Sequence, residues 1–222
     1  LTVGGIVNLS NGSESAPALI FNSDADTGIY RGGSNTIVIT AGGSNRVYVD
    51  PNTHLGTLTA GTSNLALGVN AGNSIASGGN YNTVVGDEAG TAITTGDESA
   101  AFGFSSLSAN TEGTANTALG AYALRNDTLG SRSVAIGHQA LSAQNFTSAA
   151  ISYNTAVGYD AGANVTTGTS NTLLGYGSGD ALTVGYFNTA IGTQTLSTDT
   201  QGNKSTAIGY AALGLQNFTS AT

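Results

Sequence analysis

Five carboxylates that lie close together in the sequence are the residues best suited to acid–base chemistry: Asp87, Glu88, Asp97, Glu98 and Glu112. Two carboxyl groups that flank a glycosidic bond can cleave it, one as general acid and the other as base or nucleophile. Solvated corners explain the same residues more simply, because turns expose whatever polar side chains they carry. Neither His54 nor His138 has a neighbour in the sequence that suggests a general base. We therefore expect no catalytic residues and no enzymatic activity.

A second chemical possibility is a cation site at Asn22, Asp24 and Asp26, which have the alternating spacing of an oxygen-ligand loop for Ca²⁺. A calcium loop of this type continues with Gly and later Glu, whereas this chain has Thr27 and Gly33 at those places. The residues therefore favour a tight Asx turn over a metal site. The chain also has no cysteine, which excludes disulfides, thiolate metal sites and thiol catalysis. We expect no cofactor.

Aromatic side chains offer a third kind of chemistry, the binding of sugars. Tyr159, Tyr176 and Tyr210 each directly follow a glycine that recurs along the chain, and the residue at this position varies from copy to copy. Such variability is typical of an exposed site. Tyr159 and Tyr176 belong to successive copies, so they would stack about 5 Å apart if the copies form adjacent strands. Exposed rings of this kind can contact a glycan or simply pack at a corner, and both interpretations stay open.

Composition limits the elements that can position these residues. The chain of 222 residues has 33 glycines, while only 8% of its residues are charged, against about 25% in an average protein. A helical bundle or coiled coil is excluded, since the charged helix formers of solvated helices are missing. The net charge of −8 provides no basic surface for nucleic acid. No apolar run approaches the roughly 18 residues of a membrane helix, so we expect a β protein that neither binds nucleic acid nor inserts into a membrane.

A short repeat organises most of the chain. The motif Asn-Thr-Ala-Leu-Gly at residues 116–120 recurs with small changes at 154–158, 171–175, 188–192 and 205–209. With looser copies included, nine repeat glycines recur at a nearly constant interval: Gly68, Gly86, Gly103, Gly120, Gly137, Gly158, Gly175, Gly192 and Gly209. The interval is about 17 residues, with one longer step after Gly137. A unit this short cannot bury its own apolar face, so neighbouring units must stack.

The order of residue types within each copy predicts one coil of a β-solenoid. Asn or Ser stands four places before the repeat glycine, and a bulky apolar residue stands directly before it. The Asn-Thr-Ala-Ile stretch is predicted to be a short strand with Thr and Ile on one face and Ala on the other. A Thr-x-Gly element about ten places later predicts a turn. We thus expect two strands and two corners per coil, with the Asn and Ser side chains forming a ladder that bridges backbone groups.

Two positions in the coil compensate for each other. The residue four places after the repeat glycine is either Gly or Leu. The residue seven places after the repeat glycine is a large aliphatic one only in the coils that have Gly at the earlier position. Gly90, for example, is followed by Ile93. The coils with Leu follow the opposite rule: Leu107 with Asn110, Leu124 with Asp127 and Leu196 with Asp199. We expect the large side chain to fill one interior space from either position.

Residues 1–60 do not follow the repeat, and short β-rich runs at 18–21, 36–40 and 46–49 predict a small β module there. The segment Asp-Ala-Asp-Thr-Gly-Ile-Tyr-Arg at 24–31, with Arg-Val-Tyr-Val-Asp at 46–50, resembles a module of bacteriophage tail-fibre and appendage proteins. This resemblance implies an elongated homotrimer that projects from the virion and contacts the host surface. The repeat array also resembles the head repeats of trimeric autotransporter adhesins, through Ser-Val-Ala-Ile-Gly at 133–137.

The end of the chain contains a second, longer period. Nearly identical tails, Gln-Asn-Phe-Thr-Ser-Ala, occupy residues 144–149 and 216–221, so the second tail follows the first by four coils. By analogy with the first tail, the last coil would run to about residue 225. We therefore expect the natural protein to continue past Thr222.

These observations predict an all-β fold: a β module at 1–60, then a β-solenoid or β-roll of about nine coils of roughly 17 residues each at 61–222, within a homotrimer. Both faces of the repeated strand are largely apolar while a single solenoid buries only one, so the second face, small and flat, would pack against partner chains. The predicted function is a structural segment of a phage tail fibre or similar extracellular appendage of the virion. Other tail proteins and a host-surface glycan or protein would be its partners. A bacterial adhesin head and a polysaccharide-depolymerase tailspike are the alternatives.

Overall fold

The structure, a computed structural model, describes residues 10–21, 24–33, 36–42, 44–49, 55–57 and 61–218. Among these residues all regular secondary structure is β-strand, and none is helix. The chain divides into two units, Leu1–Leu58 and Thr59–Thr222. The predicted all-β fold, with a small sheet followed by a solenoid, is confirmed.

The first unit is an antiparallel sheet of five strands, each paired with the next in sequence. The strands are β1 (Leu19–Phe21), β2 (Asp24–Gly33), β3 (Thr36–Ala41), β4 (Ser44–Val49) and β5 (Leu55–Thr57). Val38 and Thr40 of β3 are buried on one face, where the Thr40 hydroxyl donates to the carbonyl of Glu14 at 3.3 Å. Leu19, Ile29 and Ile39 lie side by side on the other face and are exposed.

The second unit is a β-solenoid in which each coil contributes one strand to a parallel sheet of nine. These strands are β6 (Leu65–Leu67), β7 (Thr83–Val85), β8 (Ala100–Phe102), β9 (Thr117–Leu119), β11 (Val134–Ile136), β13 (Thr155–Val157), β14 (Thr172–Leu174), β15 (Thr189–Ile191) and β16 (Thr206–Ile208). The register is the same at every step, so the residues before the repeat glycines form one straight row. Nine strands enclose eight complete turns, which confirms the predicted solenoid.

The prediction of two strands per coil is wrong for most coils. Within the described solenoid, the second extended stretch of the coil pairs as a strand only at β10 (Gly130–Ser131) and β12 (Ala150–Ile151). A residue in the left-handed region, such as Glu98 at φ 57° or Ala115 at φ 56°, ends this stretch in coils of both kinds, since Arg132 and Tyr153 have φ 63° and 50°. The coils are joined there by isolated bonds, as where the Thr94 amide and hydroxyl both donate to the Thr111 carbonyl, at 2.9 and 3.0 Å.

The core of the solenoid lies behind the small residues of the strands. Ala118, Ala135 and Ala156, each at the centre of its strand, are fully buried, whereas Thr and the bulky residue on either side point outward. The expectation that the small face packs against partner chains is therefore wrong. The interior already holds a large aliphatic side chain in each of these layers, and seven of the nine strands accordingly have Ala at their centre.

The predicted compensation between two interior positions is confirmed. A Cβ atom placed on Gly90 would lie 2.8 Å from Cδ1 of Ile93, and one on Gly179 would lie 3.1 Å from Cδ1 of Leu182. The aliphatic side chain at the second position therefore occupies the space that a side chain at the first would need. Leu107, in a coil of the other type, is also fully buried. Each layer has one large aliphatic group, supplied from one of two places.

The same interior shows a second adjustment that involves the strands. Only Val84 and Leu173 place a large side chain at the centre of a strand of this sheet. A Cβ on Gly162 or Gly179 would come within 2.7 Å of the Leu173 methyl groups, and the glycines around Val84 stand in the same relation to it. Large strand residues are thus accommodated between two coils that both have Gly at the first interior position.

The predicted ladder of Asn and Ser side chains is confirmed. Asn171 is typical: its Nδ2 donates to the Gly185 carbonyl at 2.9 Å, and its Oδ1 accepts the backbone N–H of Asn188 at 3.0 Å. Asn188 repeats the pattern with the Gly202 carbonyl at 2.7 Å and the Ser205 amide at 3.0 Å. Each side chain thus satisfies buried backbone groups both within its coil and in the next coil.

The repeat glycine turns the chain where it lies directly against the next coil. Gly120 has φ +133°, a conformation that L-residues rarely adopt. A Cβ atom there would lie 2.5 Å from the carbonyl oxygen of Gly137 in the next coil. Only glycine fits, which explains why the residue is the same in all nine copies.

Candidate functional site

The largest candidate site is the outward face of the nine-stranded sheet. The bulky residues before the repeat glycines form what we call the outer apolar row: Leu67, Val85, Phe102, Leu119, Ile136, Val157, Leu174, Ile191 and Ile208. Their side chains are partly to largely exposed, by 46% for Leu119 and 66% for Ile208. A second row, mostly Thr, runs beside it, and neither row contains a charged residue.

The outer apolar row is long and uninterrupted. Eight steps of about 4.8 Å give roughly 40 Å, and three residues of strand give a width of about 10 Å. A contiguous apolar surface of several hundred Å² is unusual on a monomeric protein and marks an interaction site. The row has the geometry to bury itself against another extended apolar surface.

A second candidate site is a row of rings at the corner after the repeat glycine, which we call the aromatic ladder: Phe104, Tyr122, His138, Tyr159 and Tyr176. Each ring contacts the next, with centroids 5.0 Å apart for His138 and Tyr159 and 5.8 Å apart for Tyr159 and Tyr176. These last two pairs are stacked, while the two pairs below them meet edge to face. The guanidinium of Arg125 lies over the Tyr122 ring at 5.1 Å.

The structure brings two of the three tyrosines predicted to bind glycan into this ladder and leaves the third outside it. Tyr159 stacks on His138 at one face and on Tyr176 at the other. Tyr210 lies two coils beyond Tyr176, is 79% exposed and has no ring contact within the described part of the chain. The intervening coil has Thr193 at this position, so the stack stops for one layer.

The carboxylates considered for catalysis lie at two opposite edges of the sheet, with Asp87 and Glu88 at one edge and Asp97, Glu98 and Glu112 at the other. Asp87 and Glu88 follow the last residue of β7 and its glycine, whereas Asp97 and Glu98 precede β8. At least about 10 Å of strand therefore separates the two groups, while glycoside-cleaving carboxylates stand about 5 to 9.5 Å apart across the bond. Asp97 is engaged with the backbone, since its Oδ1 accepts the Asn80 amide at 2.6 Å. His54 lies outside the described residues, and His138 belongs to the aromatic ladder.

The residues considered for a cation site are only partly described. Asn22 lies outside the described residues, while Asp24 and Asp26 begin strand β2. The Asp24 carboxylate accepts backbone hydrogen bonds from Asp26 and Thr27, which is the type of contact expected of an Asx turn. A hydrogen bond between the two side chains lowers the pKa of Asp24 and raises that of Asp26. Within the described ranges, no three His, Cys, Asp or Glu residues come together as a metal site requires.

A buried polar network that the sequence reasoning missed joins the longer coil to its neighbour. Gln144 Nε2 donates to Oδ2 of Asp127 at 2.6 Å, and the amides of Gly130 and Phe146 donate to its Oδ1 at 3.0 and 3.2 Å. Burial raises the pKa of Asp127, while these hydrogen bonds oppose the shift. Asp199 accepts equivalent bonds from Gln216 and Phe218. The signal in the sequence was the repeated Gln-Asn-Phe tail, whose Gln stands one repeat length after each aspartate.

In the first unit, a cavity of about 300 Å³ opens beside the exposed side chains of β1 and β2. Leu19, Ile29 and Ile37 form its apolar part, and Arg31 and Asn11 lie at its polar edge. Tyr30 beside Arg31 also lines it, and no carboxylate or imidazole of the described residues lies in it.

The chain matches no protein-family model, no curated protein and no solved structure. None of the described residues forms a helix long and apolar enough to cross a membrane. The outer apolar row and the aromatic ladder are therefore the two surfaces of the solenoid from which a function can be proposed.

Proposed function

We propose that the chain is a structural, non-enzymatic segment of an elongated homotrimeric appendage, a phage tail fibre or a similar fibre, that supports attachment to a host cell. The observation that carries this proposal is the outer apolar row. This unbroken line of exposed apolar side chains lies on an uncharged face that no other described residue of the solenoid covers, so it calls for a partner outside the solenoid.

A second copy of the same chain is the partner that fits the row best. Its side chains recur at every coil, at the same height in every copy, so parallel copies around one axis match layer by layer. Closed rotational symmetry hides an extended self-complementary surface without leaving a free edge. Three copies are what the resemblance to tail-fibre and autotransporter repeats implies.

The solenoid also suits the mechanical part of this role. Each coil contacts only its neighbours, so coils add length at about 4.8 Å each without changing the cross-section. Stacked Asn side chains and coil-to-coil backbone bonds run the length of the unit. A solenoid of this kind is a rigid spacer that holds its two ends tens of ångströms apart, as a shaft must.

The remaining partners follow from the role as a fibre. A shaft within a virion tail is joined to other tail proteins at its ends, and it carries a surface that meets a host-cell glycan or protein. The non-enzymatic role is supported by the carboxylates considered for catalysis, since Asp87 and Glu88 lie at the opposite edge of the sheet from Asp97 and Glu98.

Light scattering coupled to size exclusion tests the proposal. We expect a mass of about 66 kDa, three times the 21.9 kDa of one chain. Leu119→Asp and Ile136→Asp each place a charge in the outer apolar row, so they should give 21.9 kDa monomers that keep the β-sheet circular dichroism. Thr95→Asp is the control, because Thr95 is exposed away from the row and Glu112 already places an acid at the same position one coil later.

A stable monomer of the unmodified chain, or trimers that tolerate both charged variants, would overturn the proposal. Antibody labelling of intact virions in the electron microscope tests the location. Label along the tail appendage is the expected result, and label on the bacterial surface would favour the adhesin alternative.

A further inference from the structure

We infer that the break in the aromatic ladder at Thr193 is a binding slot for one pyranose ring, held between Tyr176 and Tyr210. This deepens the proposed function and rests on it in one respect, since attachment to a host surface supplies the reason for a sugar site. The slot itself is argued from the spacing of the coils and the exposure of the two rings.

The three residues occupy the same corner in successive coils. The Gln194 amide donates to the Tyr176 carbonyl at 2.8 Å, and the Ala211 amide donates to the Thr193 carbonyl at 2.9 Å. Tyr176, Thr193 and Tyr210 are therefore stacked one above the other, each directly after a repeat glycine. Two coil steps of about 4.8 Å place the corners that bear the two tyrosines roughly 9.6 Å apart.

That separation corresponds to one missing ring. In the intact part of the ladder the centroids are 5.0 to 5.8 Å apart, so a ring placed midway between Tyr176 and Tyr210 would lie about 5 Å from each. A pyranose has two faces lined by C–H groups and is thicker than an aromatic ring, which suits a gap of this width. Thr193, with its short side chain, leaves the layer open.

The rings that bound the slot have faces available. Tyr176 stacks on Tyr159 at one face only, and half of its surface is exposed. Tyr210 has no ring neighbour among the described residues and is 79% exposed. Tyr159 contacts rings on both faces, so its part in the site is to hold Tyr176 in place.

Polar groups at the edge of the slot match the hydroxyl groups of a sugar. Thr193 and Gln194 are both exposed at the floor. Asp180 lies beside Tyr176, since its Oδ2 is 3.5 Å and the Gln194 Cγ is 3.9 Å from the point where a Cβ on Gly177 would stand. The Oδ1 of Asp180 is buried and has no hydrogen-bond partner among the described residues, so this oxygen lies behind the slot and not inside it. The exposed hydroxyl of Thr193 and amide of Gln194 beside an apolar slot are features of a site that orients a neutral polyol.

The charge of the site narrows the ligand further. The carboxylate of Asp180 lies close to the slot, no Lys, Arg or His is among the residues that form it, and the chain as a whole has a net charge of −8. Phosphorylated and carboxylated sugars are therefore disfavoured by repulsion. A neutral hexose or N-acetylhexosamine, as found in cell-surface polysaccharides, is the ligand class that the site fits.

Saturation-transfer NMR on the full protein tests the inference, with the methyl β-glycosides of glucose, galactose, mannose and N-acetylglucosamine as probes and phenol as a planar competitor. We expect transfer to the ring C–H protons of at least one glycoside. Tyr210→Ala should reduce this transfer at least tenfold. Thr193→Tyr should abolish it by completing the ladder, with the β-sheet circular dichroism retained, because Tyr already occupies this corner in other coils.

Val69→Tyr is the matched control, since it adds a tyrosine at the same position of a coil far from the slot and should leave binding unchanged. No transfer to any of the four glycosides overturns the inference, as does equal transfer in Thr193→Tyr or binding of phenol alone. The molar mass of the same samples separates the two proposals. A trimeric assembly without sugar binding refutes only the slot, and sugar binding by a monomer refutes only the trimeric shaft.

Discussion

The exchange between Leu and Gly inside the coils predicts that a layer emptied at one position can be refilled from the other. Leu107 and Asn110 provide the cleanest pair, because both are fully buried and neither atom of the Asn110 amide has a hydrogen-bond partner. The coil before them has the opposite arrangement, Gly90 with Ile93, so the target state already exists in the protein. Asp127 is a poorer site for the same exchange, since its carboxylate accepts three hydrogen bonds.

The expected free energies follow from the two side chains. Removing a buried Leu costs about 2–5 kcal/mol. Leu107 has φ +52°, a left-handed conformation that glycine adopts without strain, so Leu107→Gly regains about 1–2 kcal/mol of that cost. Asn110→Ile removes an unpaired buried amide, worth about 1–3 kcal/mol, but alone it overpacks the layer by a similar amount. In the double variant the Ile fills the space that Leu107 left. We expect a coupling energy of at least about 2 kcal/mol and near-native stability.

Urea unfolding followed by circular dichroism measures this cycle at one fixed protein concentration, since association would add to stability. The pair Leu107→Gly with Asn110→Ala is the control, because it removes the amide without refilling the layer and should stay destabilised. Additive effects of Leu107→Gly and Asn110→Ile would refute the reasoning, since they would mean that the two positions fill different spaces.

Three further predictions concern the corners, the ladder and the buried acid. Gly120→Ala should destabilise the fold by at least about 3 kcal/mol, because its Cβ would clash with the next coil and its φ would be strained. A Cβ on Gly209 would meet nothing within 4 Å, so Gly209→Ala should cost only the strain. Equal losses of thermal stability in the two variants would contradict the clash. Asn171→Ala should cost about 2–4 kcal/mol in urea unfolding, because buried backbone groups lose their hydrogen-bond partners. Asn164→Ala, at an exposed site, should cost less than about 1 kcal/mol. Similar costs would refute the role of the Asn and Ser ladder. Burial raises the pKa of Asp127 in the folded state above its unfolded value, so the contribution of Asp127 to stability should be largest below pH 3.8 and should fall as the pH rises through the folded pKa. The stability advantage of the unmodified protein over Asp127→Asn, measured by unfolding from pH 3 to 7, should therefore shrink as the pH rises. An advantage that grows with pH would show that the pKa shift has the opposite direction.

Much of the fold could be predicted because one physical constraint is repeated nine times. A glycine at each corner, an Asn or Ser before each strand and one aliphatic group per layer are requirements of the backbone, so they leave a regular trace in the sequence. The exchange between Gly90 with Ile93 and Leu107 with Asn110 was visible for the same reason. A change at one position was always answered at another three places away.

The features that could not be predicted depend on contacts between coils. Whether Ala or Ile faces the interior could not be settled by alternation alone, because both faces of the strand are apolar. The link from Asp127 to Gln144 is made between side chains of successive coils, where the sequence shows only two polar residues. Tyr122 stands two places after its repeat glycine, whereas Tyr159 directly follows one, so the residues that directly follow the repeat glycines do not include it.

The central claim, that the outer apolar row is buried between copies of the chain, is tested most directly by a distance between copies at that row. The chain has no cysteine, so Leu119→Cys carries a single spin label, and Glu112→Cys gives a control on an exposed corner away from the row. Facing sheets pack roughly 10 Å apart, so pulsed and continuous-wave electron paramagnetic resonance should find labels at 119 within roughly 20 Å of each other and labels at 112 farther apart. Absence of dipolar coupling at 119, or closer approach at 112 than at 119, would contradict the claim.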